Sequence, residues 1–428
     1  MSKRRVLVFA WVSLGLAAVP RPVAGQPPTP TSRVTFKEAI DQAIRRNPSV
    51  QQAADEILRA AGLLRQATAV VLPSVGGSVV NTTLNTGRSF GGVTAVAQDQ
   101  ATASLNVSAL LYAPVEWAQR VQAADNQRVA ELAAADIRRQ IGVAAAQAYL
   151  AIIARRRVLD ADTVARDTAR AHYELSRQLR ESGAGSRLNE LRAQQALSSD
   201  EALVEESALG VYGAQEALGV LLAADGPLTV ADEPTLDVPA TLDAAIAAMP
   251  GERTDLRLAA GRQQVAARVV SDSWKDWLPS VSGLFQPQYL QPETIFSPAW
   301  SWRAQLVGSI PIFDSGFRRA VRAQREAVLD ETKVEQDALL RQARSDVRTA
   351  QESAKSAERA LASARAAADQ AHQVVEIVNV SFRAGASTNI EVIDAQRAAL
   401  DADTAVAIAE DQVRQARLAL LVALGRFP

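Results

Sequence analysis

Two stretches of this chain, Pro114 to Ser182 and Asp314 to Ala384, run without an internal proline. At 1.5 Å per residue, about 70 residues make a helix roughly 100 Å long. A compact globular domain has no use for that length. Pro114 suits the first turn of such a helix. Asp314 or Ser315 suits the N-cap of the second.

The apolar spacing says what these helices pack against. In the second stretch Leu340, Ala343, Val347, Ala350, Ala354, Ala357, Leu361, Ala364, Ala368, Ala371, Val375, Val378 and Phe382 follow at alternating steps of three and four. A shorter series returns from Val392 through Ala399, Val406 and Val413 to Ala423. A sustained seven-residue repeat is a coiled-coil seam. A few residues join the two helices, so they must pair antiparallel. Most seam residues are alanine, which allows close approach but buries little area per contact. The first stretch carries the same seam with polar breaks that include Arg155 and Asp162.

The chain repeats once. Leu72-Pro73-Ser74-Val75 returns as Leu278-Pro279-Ser280-Val281, and Gly183, Ala193-Gln194 and Leu222 return 202 residues later as Gly385, Ala395-Gln396 and Leu424. The expected organisation is a signal peptide over 1–25, a first repeat over 26–225, a linker over 226–240 and a second repeat over 241–428. Each half reads as a short helix, a moderate helix, two strands, a very long helix, a sharp turn and a shorter helix back. The short and moderate helices are expected at Thr35–Arg46 and Pro48–Val71, then at Thr241–Met249 and Thr254–Leu278. Asp225–Ala240, rich in Pro, Gly and Asp, reads as a linker rather than an element.

Four stretches alternate with period two. The clearest places Trp300, Trp302, Ala304, Leu306, Gly308 and Ile310 on one face and Ser301, Arg303, Gln305 and Ser309 on the other. Apolar outside, polar inside and lengths near ten residues fit the strands of an outer-membrane barrel, with Trp300, Trp302, Leu306 and Ile310 facing lipid. Tyr112, Trp117, Trp274, Trp277, Tyr289 and Phe313 gather at or just beyond strand ends, as an interfacial aromatic belt would. Four strands cannot close a barrel. An open edge in lipid leaves backbone groups unpaired at several kcal/mol each, so the edges must pair with other copies of the chain. Two copies would give eight strands and a filled interior; three would give twelve and room for a pore.

The N-terminus supports export. Lys3, Arg4 and Arg5 precede an apolar run of 14 residues, Val6–Val19, and the small residues of Val23-Ala24-Gly25 offer a cleavage site. That run is short of the roughly 20 residues a membrane-spanning helix needs. Removing Lys3, Arg4, Arg5 and Arg21 takes four from 46 basic residues and leaves 42 against 47 acidic, which is no footprint for nucleic acid. The chain has no cysteine, so disulfides and thiolate chemistry are excluded. Its two histidines, His172 and His372, are expected to be ordinary helix-surface residues. No P-loop, Ser/His/Asp constellation or metal-ligand spacing is present, so neither an enzyme nor a bound cofactor is expected.

In the order of its parts the chain resembles the TolC family of outer-membrane efflux proteins over about residues 34–427. The residues that carry the resemblance are Thr35-Phe36-Lys37-Glu38-Ala39-Ile40 with Asn47-Pro48, the paired Leu-Pro-Ser stretches, Ile312-Phe313-Asp314-Ser315-Gly316, the turns Ser182-Gly183…Glu190 and Ala384-Gly385…Asp394, and Leu424-Gly425. The resemblance implies a mainly α fold with a membrane β part. Three chains would share a twelve-stranded barrel in the outer membrane and a long α-helical barrel of coiled-coil hairpins reaching into the periplasm. It implies a homotrimer in outer-membrane lipid, joined to a periplasmic adaptor and an inner-membrane pump, serving as a passive export duct. The alternative is a secreted coiled-coil spacer without a pore.

The resemblance also assigns residues. The turns at Gly183 and Gly385, with Arg187 and Ser387, become the periplasmic tips that meet the adaptor. Glu391 and Asp394, i and i+3 on one helix face, become an acidic ring at the periplasmic aperture that attracts cations. The family's closed state uses a tyrosine, an arginine and an aspartate at the tip. Phe382, Ser387 and Asn189 occupy those positions here, so closure is expected to rest on helix packing or on Arg187 or Arg383 with Glu190.

Overall fold

The computed structural model describes residues 32–238 and 242–427. The signal-peptide expectation lies outside them. The first half runs β1 (Ser32–Val34), α1 (Phe36–Arg46), α2 (Pro48–Val70), β2 (Ser74–Thr83), β3 (Arg88–Phe90), β4 (Val93–Val96), β5 (Asp99–Tyr112), α3 (Pro114–Glu181) and α4 (Arg187–Leu221). After β6 (Leu228–Val230) the order returns with α5 (Leu242–Glu252), α6 (Thr254–Asp272), a 3₁₀ turn over Ser273–Trp277, β7 (Ser280–Gln291), β8 (Trp300–Ser309), α7 (Phe317–Arg383) and α8 (Asn389–Ala423).

Local chemistry sets the helix starts. Thr35 and Glu38 form a capping box on α1, and Arg45 and Arg46 sit in its last turn. Asn47 caps α2 by accepting from the Ser49 amide, with Pro48 at the first helical position. Helix α7 departs from expectation. Its N-cap is Gly316, left-handed at φ 88°, not Asp314 or Ser315. The Asp314 carboxylate still does the capping chemistry from two residues upstream. It accepts from the amides of Gly316 (3.1 Å) and Arg318 (3.0 Å). Ser315 (φ 54°) and Gly316 are both left-handed, and that turn brings the carboxylate back over the helix start.

Helices α3 and α4 pair as one antiparallel hairpin and α7 and α8 as another, with α3 also against α8. The expected seam is the buried face: Ala343, Val347, Ala350, Ala357 and Ala368 on α7 meet Val392, Ala395, Ala399, Ala409 and Val413 on α8. Large side chains concentrate part-way along the hairpins. One cluster gathers Val34, Ile40, Tyr149, Leu150, Ile152, Leu218, Leu222, Val230, Leu418 and Phe427. A second gathers Met249, Leu256, Val347, Leu420 and Leu424. The alanine seam is therefore anchored by two bulky cores where the short helices pack on the long ones. Tyr149 is fully buried there. Its hydroxyl donates to the Asp232 carboxylate, and burial first, then that bond, pushes its pKa up to about 12.

The linker holds an element that its composition hides. Leu228–Val230 is a buried strand that pairs in parallel with Ser32–Val34. Three residues among Pro, Gly and Asp carry too little alternation to be read as a strand.

The main sheet has four antiparallel strands in the order β2-β5-β7-β8, and β3 and β4 form a small separate hairpin between β2 and β5. Its register sorts the faces. Val75, Val107, Phe285 and Ala304 lie in one cross-strand row. Val79, Ala103, Tyr289 and Trp300 lie in a second row on the same face. The other face is mainly polar, with Val80, Leu284, Leu290 and Val307 among its residues: Ser74 and Ser108 hydroxyls meet at 2.7 Å, those of Ser78 and Ser104 at 2.9 Å, and Arg303 donates to Gln286 at 2.5 Å. Strands β2 and β8 each keep one edge unpaired in the single chain. Among the described residues no helix is long and apolar enough to cross a membrane.

Candidate functional site

The two hairpin turns are built alike. In the first, the Ala184 amide bonds Leu179 O at 2.8 Å and the Gly183 amide bonds Arg180 O at 3.0 Å, with Gly183 at φ 79°. In the second, Ala386 bonds Ser381 O at 2.8 Å and Gly385 bonds Phe382 O at 3.0 Å, with Gly385 at φ 75°. These paired bonds are the Schellman closure of a helix C-terminus, which wants glycine at the left-handed position. The return helices are then capped by Ser186, accepting from the Asn189 amide at 3.2 Å, and by Thr388, accepting from the Glu391 amide at 3.4 Å.

The hairpins are joined to each other just above these turns. Asn389 is 3% exposed. Its Nδ2 donates to the Asn189 carbonyl at 3.3 Å. That leaves Oδ1 to accept from His172 Nε2 at 2.8 Å and Ser176 Oγ at 3.3 Å. The Phe382 ring stands edge-on to His172 at 5.3 Å between centroids. One buried asparagine thus links α3, α4 and α8, with α7 packed alongside. Burial pushes the His172 pKa down, opposed in part by its bond to Asn389.

Several expectations change here. His172 is not a surface residue, because the start of α8 and Phe382 cover it; His372 is exposed and pairs with Asp403 at 2.8 Å. The partner of Glu190 is Arg180, at 2.7 Å. It is neither Arg187 nor Arg383, which are exposed with no carboxylate within 4.0 Å among the described residues. Of the three departed positions, Phe382 packs on His172, Ser387 donates to Val378 O at 3.1 Å, and Asn189 contributes its backbone carbonyl. The cluster centred on His172 and Asn389 was missed. Its only sequence signal was a histidine at a seam position.

Glu391 and Asp394 are both exposed on the first turns of α8. Glu391 carries a second duty, since its carboxylate accepts from the Thr388 amide at 2.7 Å and completes a capping box. Trp300, Trp302 and Leu306 share the apolar face of β8 and are 63%, 66% and 71% exposed; Ile310 lies just past the strand end. Among the described residues, no group of three or more His, Asp or Glu side chains is placed to hold a metal. A cleft of about 710 Å³ lies among α3, α6, α7 and α8. Its arginines are occupied: Arg139 bonds Phe427 O at 2.9 Å and Val422 O, and Arg253 bonds Asp255 at 2.7 Å and Asp346 at 3.3 Å.

Residues 248–426 match the family model described as outer membrane efflux protein. Over this segment the chain is similar to the outer membrane efflux protein family. No curated protein sequence matches the chain. The fold matches solved structures over nearly its whole length. The outer membrane protein VceC from Vibrio cholerae aligns with TM-score 0.76 at 20% identity, over 91% of this chain and 96% of that one. The Campylobacter jejuni CmeC outer membrane channel aligns with TM-score 0.78 at 17% identity, over 97% and 94%. A membrane protein from Pseudomonas aeruginosa aligns with TM-score 0.80 at 20% identity, over 95% and 96%. The fold of these solved structures therefore covers both halves of the chain, including the first, which the family model leaves unmatched.

Proposed function

We propose that three copies of this chain form a passive duct through the outer membrane, joined at the helical tips to a periplasmic adaptor and through it to an inner-membrane pump. The observation that carries this reading is the four-stranded sheet with one apolar face, one polar face and two open edges, mounted on helices of 68 and 67 residues. A sheet edge in lipid leaves amides and carbonyls without partners, so β2 of one copy pairs with β8 of the next. Three copies close twelve strands around a water-filled lumen, whereas eight strands fill their own interior. The apolar face turns to lipid and the serine-lined face to the lumen. In this reading the energy for export comes from the pump.

The test uses the absence of native cysteine. One cysteine on each edge strand should trap a covalent trimer in the outer-membrane fraction, and the purified protein should conduct in planar bilayers. A monomer that neither cross-links nor conducts would defeat the proposal.

A further inference from the structure

At the end where helices enter the sheet, exposed aromatic side chains and arginines occur together. Tyr112 pairs with Val281, on the face that carries Phe285, Leu306 and Trp302. The Trp117 ring stands edge-on to Tyr112 at 5.6 Å and 88°. Arg120 follows three residues later on α3, on the same side of the helix and about one turn further from the sheet. At the same end of the sheet Leu72, Trp274, Trp277, Ile312, Phe313 and Phe317 are exposed, the last three at 87%, 85% and 68%.

The charges in this rim are unbalanced. Most bases have their own carboxylate: Lys275 with Asp272 at 2.7 Å, Arg318 with Asp314 at 2.5 Å, Arg322 with Glu326 at 2.8 Å, Arg325 with Asp276 at 2.7 Å, and Arg268 with Asp125. Three exposed arginines have none among the described residues: Arg65 near the end of α2, Arg120 near the start of α3 and Arg319 near the start of α7. Glu116 is the acid left over in the same segments. At the other end of the sheet the loops carry Arg88 against Asp99 and Glu293. The excess of positive charge is therefore confined to the helix side, directly below an exposed aromatic band.

We propose that Arg65, Arg120 and Arg319 form a binding rim for the headgroups of anionic phospholipids in the leaflet on the helix side. This rests on the membrane-barrel reading above. An aromatic band at the interface with unpaired cations within about two helical turns of it matches the depth of a lipid phosphate below the acyl chains. A zwitterionic headgroup offers no net charge to match. Arginine adds planar donors suited to phosphate.

Native mass spectrometry of the full chain, loaded with equal phosphatidylglycerol and phosphatidylcholine, tests this. The wild type should retain phosphatidylglycerol several-fold over phosphatidylcholine. The triple variant Arg65→Gln, Arg120→Gln, Arg319→Gln should fall to parity. The lysine triple variant should keep most of the preference. A control at exposed arginines further along the helices (Arg262→Gln, Arg341→Gln, Arg348→Gln) should behave as wild type. Parity in the wild type, an unchanged preference in the glutamine triple variant, or its loss in the lysine triple variant overturns the rim. Failure to insert into vesicles of either lipid would instead overturn the barrel reading.

Discussion

His172 on the outgoing helix of one hairpin and Asn389 on the returning helix of the other meet at 2.8 Å in a buried pocket. The contact is neutral, and Phe382 is the ring packed on it. Because burial holds His172 below its ordinary 6.5, the folded tip resists the proton that the unfolded chain takes up. Its stabilisation is complete above pH 6.5 and declines as pH drops toward the lowered value. Hydrogen exchange of tip amides, corrected for intrinsic rates, should be faster at acidic pH than at neutral pH. His172→Gln keeps a donor and should flatten that dependence. Asn389→Ala strands the donors of His172 and Ser176 and should cost about 1–3 kcal/mol in unfolding free energy at any pH.

The sheet predicts an asymmetry between its faces. Leu306 lies opposite Gly283 in the apolar set, and Ser301 lies opposite Gln288 in the polar set. Leu306→Arg should cost about 2–4 kcal/mol if the site lies near the bilayer midplane. Ser301→Arg should be milder. Heat-shifted migration of the assembled species reads both, and equal defects would remove the inside–outside assignment.

Gly385 has open space where a side-chain methyl would sit, but its φ is 75°. Substitution there acts through the backbone alone. Gly385→Ala should lose roughly 1–2 kcal/mol at the turn, and Gly385→Val more. Co-purification with the cognate adaptor should fall in the same order. Undiminished capture by a folded Gly385→Val variant would separate the turn from the adaptor site.

Glu391 and Asp394 stand exposed at the start of α8. In a threefold assembly they would supply a ring of carboxylates, strongest at low salt, where the Debye length is about 30 Å at 0.01 M. Glu391→Gln with Asp394→Asn should remove most cation selectivity and divalent block in planar bilayers. The trimer should still assemble, because glutamine can take over the capping bond to Thr388. Thr388→Ala should instead weaken the helix start by about 1 kcal/mol, visible in melting and not in selectivity.

Some of this structure was legible because it is periodic. The seam from Ala343 to Phe382 announces itself over many turns, and Trp300, Trp302 and Leu306 alternate with polar neighbours long enough to set their face. Gly183 and Gly385 mark their turns because a left-handed residue there is chemically restricted. Contacts between distant segments left no such trace. Leu228–Val230 is a strand only because Ser32–Val34 lies beside it. His172 is buried only because α8, more than 200 residues away, starts against it. Asp314 looked like a cap by composition and works as one, but the backbone at Gly316 moved it two places.

The two tip turns share their glycine, their closing bonds and their capped start; among the residues at which they differ is the third of the return helix, Asn189 in one and the capping-box Glu391 in the other. A partner that grips only the common shape finds two equivalent docking points on each chain. A partner that reads a carboxylate at that third position finds one. The stoichiometry of any complex formed at the tips is thus set by which of those features the partner recognises, and a single exchange, Asn189→Glu, would double the number of sites of the second kind.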